Sequence, residues 1–231
     1  MAVRGVEIVA EGVAVRGPAG IVVTDIDVDA RPGTLTVLAG PSGSGRTSLM
    51  LALGARFKVR RGRITVDGVA LPKGGKAARD RISVARANPV VGLEERLTVG
   101  ELVAERRAIG GPYVSDTSLA DAFDLVDLPY TPDTLAGDLS CVEQLLLALA
   151  LAAAERTGGI LVDDVDDGIA GTDLDRAWFA VRSVARAGAT VIATATTPPP
   201  PGPSAADLVL RLPGHDVHAA ARDAARKGGV R

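Results

Sequence analysis

Hydrophobic and polar residues repeat along this chain with two different periods, and the change of period divides it into strands and helices. Short runs rich in Val and Ile, either wholly apolar or alternating with polar residues, predict strands. Longer runs that open on a capping residue predict helices. Strands are predicted at 6–9, 13–16, 21–29, 34–39, 62–68, 81–86, 160–162, 190–195 and 207–212. Helices are predicted at 46–53, 98–108, 118–126, 144–154 and 172–187, and loops at 73–80 and 198–203.

Capping residues mark where several of these helices begin. In a capping box, a Ser or Thr side chain and an acidic side chain three residues later each accept a hydrogen bond from the other residue's backbone N–H group. Such pairs occur at Thr98–Glu101, Ser118–Asp121 and Ser140–Glu143, and Thr172 and Asp175 stand at cap positions of the last predicted helix. The helix after Ser140 is apolar on nearly all sides, which predicts that it is buried.

The order of the predicted elements indicates an α/β fold. Strands alternate with helices through most of the chain, and this is typical of a sheet with parallel character. A length of 231 residues suits one large domain. We expect a single domain over 1–231, with an α/β core at 1–87 and 156–213. A helical subdomain is expected at 88–155 and a polar C-terminal tail at 214–231.

A glycine-rich turn follows the predicted strand at 34–39, and we call residues 40–48 the phosphate loop. Their sequence, GPSGSGRTS, fits the pattern G-x-x-x-x-G-K-[ST], except that Arg46 stands in place of Lys. Glycines let successive N–H groups point inward, and the helix that follows adds the positive end of its dipole. We therefore expect the loop to bind phosphate and the Thr47 hydroxyl to reach Mg²⁺. The expected phosphate-binding residues are Gly40, Pro41, Ser42, Gly43, Ser44, Gly45, Arg46, Thr47 and Ser48. A tight glycine turn without a ligand is the alternative.

A second candidate element is the acidic end of the predicted strand at 160–162. Asp163 and Asp164 follow this strand directly. An acidic residue in that position can hold Mg²⁺ through water, opposite the Thr47 hydroxyl. We expect Asp163 to serve the metal. Taken alone, the motif is more typical of the start of a solvated loop.

Composition limits the other possible functions. The net charge is −2 and no basic face is evident, which argues against general binding of nucleic acid. One cysteine, Cys141, rules out a disulfide within the chain and a zinc cluster. The longest apolar run, 145–154, is too short to span a bilayer, and the N-terminus lacks the apolar core of a signal peptide. We expect a cytoplasmic protein whose membrane role, if any, needs a partner.

Taken in order, these segments resemble the ATP-binding subunit of an ABC transporter. GPSGSGRTS at 40–48 resembles its Walker A loop, and ILVDD at 160–164 resembles Walker B with the adjacent catalytic acid. LSCVEQ at 139–144 stands where the LSGGQ signature is expected. RLTVGEL at 96–102 is similar to the stretch after the Q-loop, and TVIATATT at 190–197 to the strand before the switch histidine.

The resemblance implies a P-loop NTPase fold of ABC type, with a mixed central sheet, an N-terminal antiparallel β region and a helical insert subdomain. It implies ATP and Mg²⁺ as ligands, with Thr47 and Asp163 on the metal and Asp164 in the position of the catalytic acid. It also implies two partners, an integral membrane transport subunit and a second ATP-binding subunit, in a homodimer or a heterodimer. The chain would then lie on the inner face of the cell membrane, with 98–108 facing the membrane partner.

Several positions depart from the family pattern, and they fall on its chemistry. The departures are Arg46 for the Walker A lysine, Asp164 for the catalytic glutamate, Cys141 and Val142 for the signature glycines, residues 86–88 for the Q-loop glutamine, and Thr196 for the switch histidine. Arg is longer and forked, whereas a lysine ammonium is a compact charge. Asp164 is one methylene shorter than Glu, and a misplacement of about 1 Å can cost roughly 100-fold in rate. Weak ATP hydrolysis is therefore expected.

Two other functions stay open. The chain can be a pseudo-ATPase, a structural or regulatory module that keeps the fold to hold a membrane complex together. It can also be a small nucleoside-monophosphate kinase, whose phosphate loops are similar. The β-rich residues 1–33 and the order of the LSCVEQ and ILVDD segments argue against the kinase.

Overall fold

The computed structural model describes residues 3–17, 20–88, 90–110 and 113–214. Within these ranges the chain forms nine strands and six α-helices. The strands are β1 Ile8–Gly17, β2 Gly20–Ala30, β3 Leu35–Ala39, β4 Val59–Val66, β5 Val69–Ala70, β6 Ile82–Arg86, β7 Gly159–Val162, β8 Thr190–Ala195 and β9 Leu208–Arg211. The helices are α1 Arg46–Leu53, α2 Gly75–Arg81, α3 Val99–Gly110, α4 Asp116–Leu125, α5 Cys141–Ala154 and α6 Thr172–Arg186.

The strands are divided between two sheets, and the predicted α/β class is confirmed. An antiparallel sheet has the order β2-β1-β4-β5, and a parallel sheet has the order β6-β7-β8-β3-β9. Strands β3, β7 and β8 are buried along their whole length, as parallel strands covered on both faces are. Because these strands run in the same direction, the loops that follow them meet at one edge of the sheet. That edge carries the phosphate loop and the Asp163–Asp164 segment.

Two hydrophobic clusters cover the two faces of the parallel sheet. Alternate residues of β3 divide between them, since Leu35 and Val37 belong to one cluster and Leu38 to the other. The first cluster contains most of the buried residues of α5, together with Trp178 of α6. The second joins α1 to the inner face of the antiparallel sheet. Helix α5 has ten buried residues out of fourteen, which confirms the prediction of a buried helix.

The predicted loop at 73–80 is wrong, because most of it is helix α2. Two glycines, Gly74 and Gly75, weaken the helical propensity of this segment. Tertiary packing overrides that weakness, since Ala78 is buried in the cluster that also contains Ile82. Arg81 is the last residue of α2, so β6 begins one residue later than predicted.

Two of the predicted capping boxes are confirmed and the third is displaced. Ser140 and Glu143 exchange both bonds at the start of α5, and the pair at Thr98 does the same with Glu101. Helix α4 is capped by Ser115, and Ser118 returns the second bond of that box. A serine at N3 can therefore replace the acidic residue on which the prediction relied.

The start of α6 and the ends of two strands also differ from prediction. Gly171 is the N-cap of α6 and its cap makes no side-chain bond, so Thr172 and Asp175 lie within the helix. Strand β1 is continuous, whereas two strands were predicted, because Gly12 absorbs an irregular register at a φ of 55°. Strand β9 begins after Asp207, whose carboxylate accepts a hydrogen bond from the Leu35 N–H group. The polar tail, apart from its first residue, lies outside the described residues.

Candidate functional site

The phosphate loop joins the carboxyl end of β3 to α1, and two glycines give it its path. Gly43 and Gly45 adopt left-handed φ angles of 78° and 88°, which other residues rarely adopt. Gly45 is the N-cap of α1, and no side chain in the described part of the molecule caps this helix. The first N–H groups of a helix have no partner within it, and the helix dipole favours an anion at that end. The loop therefore offers N–H groups to an anion.

Two further observations fit a phosphate group at the loop. The Ser44 hydroxyl is buried and has no hydrogen-bond partner within the described residues. A Cβ atom added at Gly43 would meet nothing within 4 Å, so that glycine borders open space. Gly40 has a different role, since a Cβ there would lie 2.6 Å from the Leu212 carbonyl oxygen. Gly40 is thus required for packing against the strand end at Leu212.

Thr47 and Asp163 are brought together, although they are distant in sequence. The Thr47 hydroxyl donates to Asp163 Oδ2 at 2.7 Å, and the Thr194 hydroxyl donates to Asp163 Oδ1 at 2.5 Å. Asp163 is 2% exposed, so these hydroxyls replace water on its carboxylate. Hydroxyl and carboxylate oxygens are the ligands that Mg²⁺ takes. The pair expected to hold the metal lies beside the start of α1, next to the phosphate loop.

Arg46 contacts the acidic loop that follows β7. Its Nη2 atom lies 2.7 Å from Asp164 Oδ1, and its Nη1 atom donates to the Thr196 hydroxyl at 3.4 Å. The Arg46 side chain is 9% exposed and that of Asp164 38%. The residue in the lysine position is therefore paired with the residue in the catalytic-acid position. Sequence reasoning predicted both residues for the site but not their contact.

The surroundings of Asp164 disfavour its charge. Burial and the neighbouring Asp163 carboxylate raise the pKa of Asp164, Arg46 acts in the opposite direction, and Asp166 and Asp167 raise it further. Its backbone is in the left-handed region at φ 46°, and its N–H group donates to the Thr194 hydroxyl at 2.8 Å.

Arg86, which sequence reasoning noted only as a replacement for glutamine, supports the same acidic loop. Its guanidinium donates to the Asp163 carbonyl oxygen at 3.1 Å and also to the Asp164 carbonyl oxygen. In return, the Asp163 N–H group donates to the Arg86 carbonyl oxygen at 2.9 Å. Burial lowers the pKa of Arg86, and the nearby carboxylates oppose that change. The four aspartates at 163–167 could have signalled that a nearby cation was needed.

Asp166 is a second residue whose role sequence reasoning missed. Its carboxylate accepts hydrogen bonds from the N–H groups of Thr196 and Thr197, at 2.8 and 3.1 Å. It therefore fixes the segment after β8, where the switch histidine would stand. Asp166 is therefore a structural residue of this edge of the sheet and not simply a solvated surface charge.

The signature-like segment forms the start of α5. Ser140 is the N-cap, and its hydroxyl accepts from the Glu143 N–H group at 3.4 Å. Cys141, which stands in place of a signature glycine, is exposed at the start of α5. A Cβ atom added at Gly168 would come within 3.2 Å of Cys141 Sγ, so the loop after β7 passes close to this end of α5.

Comparison with known proteins decides the family. The sequence model of the ABC transporter family matches residues 23–166, which is more than half of the chain. The chain belongs to the ABC transporter family. The match includes the phosphate loop and the acidic loop after β7, and it identifies this ABC domain as a nucleotide-binding one. The fold is therefore that of an ABC-type P-loop NTPase, as predicted.

Relatives of this ABC domain are named as ATP-binding proteins. A ribose import ATP-binding protein, RbsA 3, from Rubrobacter xylanophilus is 25% identical over 186 residues. A peptidoglycan transport ATP-binding protein, YejF, from Agrobacterium fabrum is 30% identical over 151 residues. These matches take in 78% and 62% of this chain. The chain spans 38% and 28% of the lengths of the two relatives.

Solved structures show the same fold. The structure of cbiO1 from Clostridium perfringens, part of the ABC transporter complex cbiONQ, has a TM-score of 0.73 at 16% identity. The alignment covers 92% of this chain and 85% of the cbiO1 chain. A bacterial Atm1-family ABC exporter with ATP bound has a TM-score of 0.70 at 19% identity. The alignment covers 100% of this chain and 43% of the exporter chain. At this level of identity the similarity shows the fold alone. In the ranges that the structure describes, every helix is too short or too polar to cross a membrane.

Proposed function

We propose that this ABC domain binds Mg-ATP at the phosphate loop and works as the ATP-binding subunit of a membrane transporter. The observation that carries this proposal is the 2.7 Å hydrogen bond from the Thr47 hydroxyl to Asp163. It joins the phosphate loop to the acidic strand end and puts a hydroxyl and a carboxylate where one metal ion can contact both.

Each part of the site has a proposed role toward the nucleotide. The N–H groups of Gly43 and of residues 45–48, together with the Ser44 hydroxyl, would hold the phosphate oxygens, and Arg46 would add positive charge. Thr47 and Asp163 would hold Mg²⁺. The ion would supply charge neutralisation and polarisation of the phosphoryl group. Asp164 stands where an attacking water would be oriented.

Slow hydrolysis is the second part of the proposal. Asp164 is short for orienting water, and its carboxylate is engaged by Arg46 at 2.7 Å. Thr196 stands in the place of the switch histidine and accepts a hydrogen bond from Arg46 at 3.4 Å. Neither contact leaves a group arranged to accept a proton from water, and proton transfer of that kind is worth about 10²- to 10⁴-fold in rate.

The proposed partners are an integral membrane transport subunit and a second ATP-binding subunit. The family resemblance supports both, and it assigns the membrane partner to α3 and the cleft before it. Helix α3 is exposed at Ile109, which is 74% exposed, and buries Leu102 and Val103 against the chain. Through such a partner the chain would lie on the cytoplasmic face of the membrane. A homodimer would combine two altered sites, whereas a heterodimer can complete one of them.

Calorimetric titration of the purified chain with ATP, with and without Mg²⁺, tests nucleotide binding. We expect binding that Mg²⁺ strengthens, and we expect Thr47→Val to lose that strengthening because it removes the hydroxyl and keeps the volume. Thr197→Val, at an exposed threonine near the same edge of the sheet, is the matched control and should bind as the native chain does. No binding up to millimolar ATP by the native chain would contradict the proposal.

A structural module without turnover is the second candidate, and the Arg46–Asp164 ion pair favours it. In this case ATP is a structural ligand or is not bound at all. Phosphate release at saturating Mg-ATP separates the two functions, and Asp163→Asn supplies the background rate. A rate above that background identifies an ATPase, and a rate equal to it identifies the module.

A further inference from the structure

The phosphate loop and the acidic loop after β7 share an ion pair that bears on which nucleotide can bind. Arg46 is the cation of the phosphate loop, and its guanidinium contacts Asp164 Oδ1 at 2.7 Å. With its side chain 9% exposed, Arg46 is little screened by water. A guanidinium binds carboxylate and phosphate oxygens with the same geometry. Asp164 therefore makes, on Arg46, the kind of contact that a phosphate group would make.

The Asp164 carboxylate is held in place through its own backbone. The Asp164 N–H group donates to the Thr194 hydroxyl at 2.8 Å, and the Asp164 carbonyl oxygen accepts from Arg86. The residue also sits in the left-handed region, at φ 46°. With both backbone groups held, the carboxylate is presented to Arg46 at little further cost in ordering. A preorganised contact of this kind is a strong competitor for a ligand.

No other cation that contacts the acidic loop within the described residues is available to a phosphate group in place of Arg46, which is paired with Asp164. Asp163, Asp166 and Asp167 lie in the same loop, and each adds negative charge. Arg86 is directed to backbone carbonyl oxygens of this loop, so its bonds are already made. A phosphate that approaches Arg46 therefore has to displace Asp164 in a region of net negative charge.

ATP and ADP differ in how far they depend on Arg46. The backbone N–H groups of the phosphate loop are available to either nucleotide. A cation at the lysine position reaches both the β- and the γ-phosphate, and ADP has only the first of these. Competition for Arg46 consequently weakens the binding of ATP more than the binding of ADP.

We propose that Asp164 is a specificity-determining residue, which competes with the terminal phosphate of ATP for Arg46 and so reduces the preference of the site for ATP over ADP. This inference rests on the proposed function, because it assumes that the phosphate loop binds nucleotides.

The test measures dissociation constants of Mg-ATP and Mg-ADP by calorimetry for the native chain, Asp164→Asn and Asp167→Asn. Asn keeps the size of Asp and removes its charge. We expect Asp164→Asn to tighten ATP by about tenfold, the scale of a hydrogen bond to a charged group. ADP should tighten by less than about threefold. Asp167 is an exposed carboxylate of the same loop. Its removal should shift both nucleotides alike and by less than about threefold, as loss of a surface charge does.

The outcomes separate this inference from the function on which it rests. An unchanged ATP-to-ADP ratio in Asp164→Asn would overturn the inference and leave nucleotide binding standing. An equal gain for ATP in Asp167→Asn would also overturn it, because net charge and not the ion pair would then set the affinity. Absence of binding by all three proteins would overturn the proposed function and this inference with it. Thermal melts check that the variants fold. If Asp164→Asn does not fold, Asp164→Ser, which also removes the charge, replaces it, and the same change in the ATP-to-ADP affinity ratio is expected.

Discussion

Two arginines contact the acidic loop after β7, and they do so in different ways. Arg46 pairs with the carboxylate of Asp164, while Arg86 donates to the carbonyl oxygens of Asp163 and Asp164. The first contact can be exchanged for a ligand, since the carboxylate is 38% exposed. The second joins the ends of β6 and β7 and is half-buried. At the scale of single residues, Arg46 therefore serves binding and Arg86 serves the shape of the loop.

Arg86→Met should lower the free energy of unfolding by about 2 kcal/mol, because two carbonyl oxygens lose a charged donor. Methionine keeps the apolar length of the side chain, so the loss reports the guanidinium and not the volume. Urea denaturation measures the change. Arg60→Met, at an exposed position of β4, is the matched control and should shift stability by no more than about 0.5 kcal/mol. Equal losses from the two variants would show that Arg86 has no supporting role.

Helix α5 illustrates how an element is built from local and distant causes. Its start is set locally by the capping box of Ser140 and Glu143, which sequence reasoning found. Its burial is set by the sheet and by α4 and α6, which pack around an apolar helix. The same comparison explains α2, where local propensity is weak and packing of Ala78 decides the structure. The start of α5 was therefore predictable from its capping box, whereas α2, which depends on packing, was not.

The capping box of α5 should make stability depend on pH. Hydrogen bonds from the Ser140 side chain and backbone lower the pKa of Glu143 in the folded chain. A group with a lowered pKa stabilises the fold above its unfolded pKa, and that contribution is lost as the pH falls through the folded pKa. We expect Glu143→Gln to remove this dependence below about pH 4.3, the usual pKa of Glu.

Denaturation with urea at pH 7 and at pH 3 measures this effect. Ser140→Ala should cost about 1 kcal/mol at pH 7, the usual worth of an N-cap hydroxyl. Its stability should also change less with pH than that of the native chain. The control is Glu105→Gln, which removes an exposed carboxylate in the middle of α3. If both glutamate variants follow the native pH curve, the capping box does not titrate as argued.

The whole molecule is joined by a polar network between its helical segment and its parallel sheet. Arg106 of α3 donates to Glu155, just after α5, and Glu155 also accepts a bond from Ser83 of β6. Thr157 donates in turn to the Ser83 hydroxyl at 2.9 Å. These bonds connect the segment expected to face a membrane partner with the strand next to the acidic loop. Any movement of the helical segment relative to the parallel sheet therefore has to break these hydrogen bonds or move the bonded residues together.

Arg106→Gln should therefore loosen α3 without unfolding the sheet. We expect amide hydrogen exchange in α3 to become about tenfold faster, because one hydrogen bond to a charged group is lost. Strands β3 and β8 should stay protected. Arg107→Gln is the control, because Arg107 pairs with Asp116 of α4 at the exposed surface. It should leave exchange in α3 within about twofold of native. Faster exchange in β3 as well would mean that the whole chain had been destabilised.

The sequence by itself determined the α/β class, the phosphate loop, the acidic strand end and two of the helix starts. These features depend on hydrophobic period, turn chemistry and capping, which act between residues close together in the chain. Tertiary structure alone decided helix α2, the support of the acidic loop by Arg86, the capping of 196–197 by Asp166, and the pairing of Arg46 with Asp164. Each of these depends on a contact between segments far apart in sequence. Such contacts follow from how the strands are ordered in the sheet, and local propensity does not encode that order.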